Sequence, residues 1–230
     1  VDNCKVFQGH GGFVVGSEMS GGVRNISVSN CQFLGTDVGL RFKSNRGRGG
    51  VVENIYISDI YMFNIITDSF LFDLYYGGKS ASEALANGDT TPTEEQMFEV
   101  TEETPVFKNI YVKDLVSRNA RRAMFFNGLP EMNIENIHLE NAFITARFGA
   151  EFSESKEITF KNVTVIAEEG AAYKFHNVKH FTAENLFYNT GHSGVIAEIT
   201  GSNTKALRLT GLPENQVNVA AEVNKEEITY

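Results

Sequence analysis

One short unit returns along the chain and limits what it can fold into. VRNISVSNCQF (Val23 to Phe33) recurs as VENIYISDIYM from Val52, FKNIYVKDLVS from Phe107, IENIHLENAFI from Ile134, SKEITFKNVTV from Ser155 and VKHFTAENLFY from Val178. The opening VDNCKVF repeats its second half. Each copy alternates apolar and polar residues, the pattern of a strand with one buried face. One polar position marks the frame: Asn3, Asn30, Asp59, Asp114, Asn141, Asn162, Asn185 and, in a weaker copy, Gly211. These residue types tolerate left-handed backbone and bond to it locally, so a bend is expected at each.

Successive spacings along that frame are 27, 29, 55, 27, 21, 23 and 26 residues. Setting aside the segment 79–104 brings the 55 to 29. A period of this size is that of a solenoid of stacked coils. A second apolar run follows each bend after a small residue: Gly12 before Phe13, Gly39 before Leu40, Ala123 before Met124, Ala150 before Glu151 and Ala171 before Ala172. These runs of β-branched and aromatic residues lack a 3.6-residue period, which excludes helical repeats. The fold class expected is all-β: a parallel β-helix of about seven to eight coils, occupying 1–230 as one domain.

Segment 79–104 breaks the pattern as an inserted loop with a strongly acidic composition. It holds two helix-start signals, Ser80 with Glu83 and Thr91 with Pro92 and Glu94. Such an insertion either covers a binding face or forms a solvated flap. Cys4 and Cys31 directly follow the bend residue, where later coils carry Ile60, Leu115, Ala142, Val163 and Leu186. Small core residues of one column is the reading expected for both, with a disulfide between stacked neighbours as the alternative.

Charge is distributed unevenly. The chain totals 20 − 29 = −9, which argues against nucleic acid as a partner. Yet residues 1–50 hold six basic and three acidic residues, and 51–230 hold fourteen and twenty-six. No apolar window is long enough for a membrane helix. The chain opens inside its own repeat without a signal peptide, so it is expected to be part of something longer.

The local basic patch lies between Gly9 and Gly50, and the repeat register organises it. His10 is seven residues after Asn3, and Asp37 seven after Asn30, so the two fall side by side on adjacent coils. A carboxylate there would orient the imidazole. The same register sets Val14 beside Arg41, Gly16 beside Lys43 and Ser17 beside Ser44. With Leu40 and Phe42 turned to the core, Arg41 and Lys43 share the outer face, and Gly16 leaves room next to them. Two cations on one exposed row near His10 suit a carboxylate ligand. Tyr75 and Tyr76 either flank a sugar or pack. The remaining histidines show no metal-like spacing, and no cofactor or metal is expected.

The stretches GHGGFVVGSEMSGGVRN and GLRFKSNRGRGGVVENI resemble the polygalacturonases, the family 28 glycoside hydrolases that cleave pectin. Gly9-His10-Gly11 and Arg41-Phe42-Lys43 correspond to the family's Gly-His-Gly and Arg-Ile-Lys, and Arg46-Gly47-Arg48-Gly49-Gly50 is similar to bacterial members. The resemblance implies a right-handed, single-stranded parallel β-helix and inverting hydrolysis of galacturonic acid linkages by two carboxyl groups. It implies His10 in the catalytic constellation, oriented by Asp37. Ser17, Glu18, Arg41, Lys43, Arg46, Arg48 and Tyr76 would hold a pectic polysaccharide or oligogalacturonate. A periplasmic or extracellular location goes with that substrate.

The family's Asn-Thr-Asp and Asp-Asp motifs, which carry its catalytic carboxylates, are missing from these 230 residues. Asp2, beside the frame-setting Asn3, is not a substitute for them. The chain alone is therefore expected to be inactive, and to self-associate through the exposed strand edge of its first coil. The rival expectation is a non-catalytic carbohydrate-binding or adhesin β-helix. A pectate lyase would need a calcium site of clustered carboxylates, and none lies near Arg41 in the sequence.

Overall fold

Residues 1–76, 97–189 and 194–230 are described by a computed structural model of the chain. Strands follow the bend residues in chain order: β1 (Lys5–Phe7), β2 (Phe13–Val15), β3 (Val23–Leu34), β4 (Leu40–Lys43), β5 (Val51–Phe63), β6 (Asp68–Asp73), β7 (Val106–Asn127), β8 (Ile134–Ser153) and β9 (Ser155–His176). Then come β10 (Lys179–Tyr188), β11 (Ala197–Thr200), β12 (Lys205–Leu209), β13 (Val217–Val219) and β14 (Ile228–Thr229). All pair in parallel, one coil to the next, in two stacks. The first runs β1-β3-β5-β7-β8-β9-β10-β12-β14, and the second runs β2-β4-β6-β7-β8-β9-β11-β13. The long strands β7, β8 and β9 bend through both stacks. This is the parallel β-helix the repeat foretold.

The bends have the expected chemistry. Asn3, Asn30, Asp59, Asp114, Asn141, Asn162 and Asn185 all have φ between 52° and 56°. Their side chains link the coils: Asn141 donates to Asp114 at 3.0 Å, Asn162 to Asn141 at 3.0 Å and Asn185 to Asn162 at 2.9 Å. A second left-handed column stands five residues earlier, at Asn25, Asn54, Asn109, Asn136, Glu157, His180 and Ala206. Its mixed residue types concealed it in the sequence.

The frame spacings are those of the strand pairing: Lys5 opposite Gln32, Val52 opposite Phe107, Ile134 opposite Ser155 and Lys179 opposite Lys205. The second strands are as expected in the first two coils, with Phe13 opposite Leu40. In later coils the small-residue alignment needs correction. Met124, not Ala123, pairs with Ala150, and Ala150 pairs with Tyr173. Irregularities at Ser117/Ala120 and Phe148/Ala150 absorb the offset. The inward ring column sets that register: Phe42, Phe72, Phe126, Phe152 and Phe175 succeed one another at centroid distances of 4.7, 4.8, 4.9 and 5.4 Å, close to the coil rise. Each buried phenyl stabilises the stack by roughly 1.5–3 kcal/mol. The third coil also has a second strand, β6, in which Ser69 takes the place of the glycine or alanine.

The cysteines separate. Cys31 is buried opposite Ile60 in the inward column, as expected. Cys4, expected in the same column, is exposed. Both are free thiols. Of the inserted loop 79–104, the helix starts at Ser80 and Thr91 lie outside the described residues. Its return, 97–104, packs on the loop after β4. There the Gly47 and Gly49 amides donate to the Glu103 carbonyl at 3.1 and 2.9 Å. A side chain on Gly49 (φ 61°) would strike the Glu102 carbonyl oxygen, so glycine is needed there.

Candidate functional site

The outer face of β2 and β4, with the loops that flank it, gathers most of the residues singled out above. Leu40 and Phe42 are fully buried, and Arg41 between them points outward. His10 and Asp37 meet across adjacent coils, Nδ1 to Oδ2 at 2.7 Å, as the register required. Arg41 adds a contact that periodicity does not specify: its Nη1 lies 2.7 Å from His10 Nε2. Guanidinium only donates, so Nε2 presents its lone pair and Nδ1 carries the proton toward Asp37. The result is a directed chain, Arg41 to His10 to Asp37, with a neutral imidazole at its centre. His10 is largely open to solvent, its side chain 71% exposed.

Lys43 departs from the expected open row. It is in register with Asp73 and is buried, with its ammonium 4.1 Å from the Tyr76 ring centroid. Arg41 stands over the same ring at 5.6 Å. Tyr76 thus serves both cations, an attraction that strengthens where water is excluded. Among the described residues neither Arg41 nor Lys43 forms a salt bridge. The Arg41 Nε is buried without a hydrogen-bond partner there. Gly16 does sit beside Lys43, but the room expected there is filled: a Cβ on Gly16 (φ 94°) would strike the Lys43 carbonyl oxygen.

The rest of the basic loop is engaged by protein groups. Arg48 Nη1 donates to Ser17 Oγ at 2.8 Å and lies 3.9 Å from Glu18, itself 92% exposed. Arg46 turns away from Arg41 and forms a two-pronged pair with Glu131, Nε to Oε1 at 2.6 Å and Nη2 to Oε2 at 2.9 Å. It also stands over Tyr75 at 5.3 Å and Phe98 at 4.5 Å. Glu131, whose side chain is 2% exposed, had no sequence signal, since it lies 85 residues from its partner. Burial, the largest single influence, would raise its carboxyl pKa, but the Arg46 hydrogen bond and charge together with backbone hydrogen bonds outweigh it and hold the pKa below the ordinary value. Asp2 accepts from Ser29 at 2.7 Å and Asn30 at 3.0 Å within the bend column.

The outer face of this coiled parallel sheet thus sets two cations on an aromatic ring, beside an imidazole that bridges arginine and aspartate. Comparison with known proteins narrows the class. Residues 1–103, which hold His10, Asp37, Arg41, Lys43 and Tyr76, match the model of Glycosyl hydrolases family 28. A polygalacturonase of Ralstonia solanacearum is 29% identical over 221 residues, covering 90% of this chain and 34% of the relative. A polygalacturonase of Ralstonia nicotianae is 39% identical over 80 residues, 33% of this chain and 15% of that protein. A probable polygalacturonase of Vitis vinifera is 27% identical over 130 residues, 56% of this chain and 23% of the relative. The chain is thus similar to polygalacturonases, its first 103 residues match glycosyl hydrolases family 28, and it spans about a third or less of these relatives. No solved structure matches it.

Proposed function

We propose that this chain carries the carboxylate-holding side of a polygalacturonase-type site, in a protein that hydrolyses galacturonic acid linkages with inversion. The observation that carries this reading is the pairing of Arg41 and Lys43 over Tyr76 without a carboxylate partner among the described residues. Arg41 and Lys43 bind the uronate, the Tyr76 ring steadies both, and the aspartate–histidine pair fixes the orientation of the guanidinium. His10 acts here through Arg41, as a positioning residue. Ser17, Glu18 and Arg48 border the row. Arg46 braces it from behind through Glu131.

The family's catalytic motifs are missing from the chain, so the two carboxyl groups of the inverting reaction lie outside it, and the chain alone binds without hydrolysing. Its place of action is where pectic polymer lies, periplasmic or extracellular. Titration with oligogalacturonate by calorimetry tests the site. Arg41→Ala should weaken binding at least about tenfold, the loss of a charge-assisted bond; unchanged affinity would sink the proposal. Release of reducing sugar by the isolated chain above a buffer blank would overturn the division of the site. A non-catalytic carbohydrate-binding β-helix is the second reading, favoured by those missing motifs. It makes the same binding prediction and parts from the first in the whole protein, which would then hydrolyse nothing.

A further inference from the structure

The two outward columns that begin at Arg41 and Lys43 continue up the helix into a second concavity. Arg41 is followed by Leu71, Phe125, Glu151, Lys174 and Glu198; Lys43 is followed by Asp73, Asn127, Ser153, His176 and Thr200. From Phe125 and Arg122 to Glu198 and Thr200 these residues line a pocket of about 230 Å³. At ~4.8 Å per coil its middle lies ~14 to ~19 Å from Arg41 along the helix axis. The volume is below the ~300–1,000 Å³ of sites for drug-sized ligands and fits one ring-sized guest.

Charge decides what kind of guest. Arg122 is held by Asp68 at 2.6 Å and Glu151 at 3.2 Å, and lies 3.7 Å over the Phe125 ring. Lys174 stands between Glu151 and Glu198 in register, 3.9 Å from the latter. An anion would face two carboxylates, and a cation would face Arg122 and Lys174. A neutral guest rich in hydroxyls meets neither penalty: carboxylates accept from hydroxyl groups, the ammonium donates to hydroxyl oxygens, and the Ser153 hydroxyl does both. The Phe125 ring supplies the apolar part of the lining. The row at Arg41 differs: among the described residues neither of its cations forms a salt bridge.

We infer that this pocket binds a single neutral pyranose unit. Joined to the function proposed above, on which only this extension rests, it selects polymers that carry an uncharged sugar or an esterified uronate several units from the residue held at Arg41. The pocket itself stands independently of that reading.

The test is nuclear magnetic resonance titration of the intact chain with methyl α-D-galactopyranoside and, separately, with galacturonate. The neutral glycoside should shift the amides of Glu151, Lys174, His176 and Glu198 saturably, and galacturonate should leave them in place. Lys174→Ala, at a half-exposed side chain, should weaken the neutral glycoside about tenfold, the loss of one charge-assisted hydrogen bond. Glu198→Lys should transfer preference to galacturonate. Arg41→Ala should leave pocket binding unchanged, which separates failure of the pocket from failure of the uronate row. No saturable shift with the neutral glycoside, or binding indifferent to both Lys174→Ala and Glu198→Lys, would overturn the inference.

Discussion

The outer face of the first stack and the start of the second, at β2 and β4, handle charge in opposite ways. On the first stack three lysines stand one coil from a carboxylate: Lys108 beside Glu53 at 3.7 Å, Lys156 beside Glu135 at 3.1 Å and Lys161 beside Glu140 at 3.0 Å. These are exposed or half-exposed pairs, and such pairs contribute little. On the second stack Arg41 and Lys43 stand on a tyrosine ring and an imidazole, with no salt bridge among the described residues. The pairing seen on one face, and further up the other at Arg122 and Lys174, is interrupted at Arg41 and Lys43, within the residues that the family comparison covers. Charge matters here through what it lacks rather than through its amount, since the chain as a whole is acidic.

The comparison can be broken at several points. The largest effect should come from the core that both faces share. Phe126→Ala removes a fully buried ring from the phenylalanine column and should cost about 3–5 kcal/mol, measured by denaturant unfolding. If oligogalacturonate binding by the folded fraction were lost as well, the two faces would not be separable from the core.

Next is the brace behind the site. Glu131→Gln leaves Arg46 without its carboxylate and should cost about 1–3 kcal/mol. Because the folded carboxyl pKa lies below its ordinary 4.5, the unfolded chain binds the extra proton in that window. The pair's contribution is present above about pH 4.5 and is lost as pH falls through the lower folded value. Unfolding midpoints measured from pH 6 down to pH 3 should therefore converge for wild type and variant; parallel curves would remove Glu131 from the account.

At the site, Asp37→Asn should preserve the contact with His10 while removing the negative charge that fixes its tautomer. Oligogalacturonate binding should weaken by a few-fold, less than for Arg41→Ala, with unchanged stability. An effect as large as that of Arg41→Ala would mean that Asp37 does more than orient the ring. The smallest effect belongs to the neutralised face: Lys108→Ala should change stability by less than about 0.5 kcal/mol and leave binding untouched. Weakened binding there would erase the distinction between the faces.

One more pH effect sharpens the contrast on the first face. His138 stacks on Tyr111 at 4.9 Å, and burial lowers its pKa. Its folded value lies below the unfolded 6.5, so this contribution is complete above about pH 6.5 and declines as pH falls toward the folded value. His138→Gln should flatten that part of the stability profile; an unchanged profile would dismiss the stack as a source of pH dependence.

Much of this was legible because a coil repeats. A bend asparagine needs the same left-handed backbone in every turn, so Asn3, Asn30, Asp59 and Asp114 announce the frame without any tertiary information. Once the frame is known, parallel pairing converts sequence offset into neighbourhood, and the contact between His10 and Asp37 follows from two equal offsets of seven. Alignment on small residues held to Ala123 and failed from Ala150 onward, because the phenyl rings pack by volume and shift the register through local irregularities.

The amino-acid sequence alone determined the solenoid, its period, the row of β2 and β4 and the proximity of His10 to Asp37, since all of these are local patterns repeated in phase. Only the tertiary structure decided the contacts of the long side chains. Arg41 reaches His10, Lys43 is covered by Tyr76, Arg46 is drawn to Glu131, and Lys174 lies between two glutamates. Arginine and lysine have reach in several directions, and the one they take depends on which loops arrive nearby. Period fixes where a Cα stands, and packing decides where a guanidinium ends.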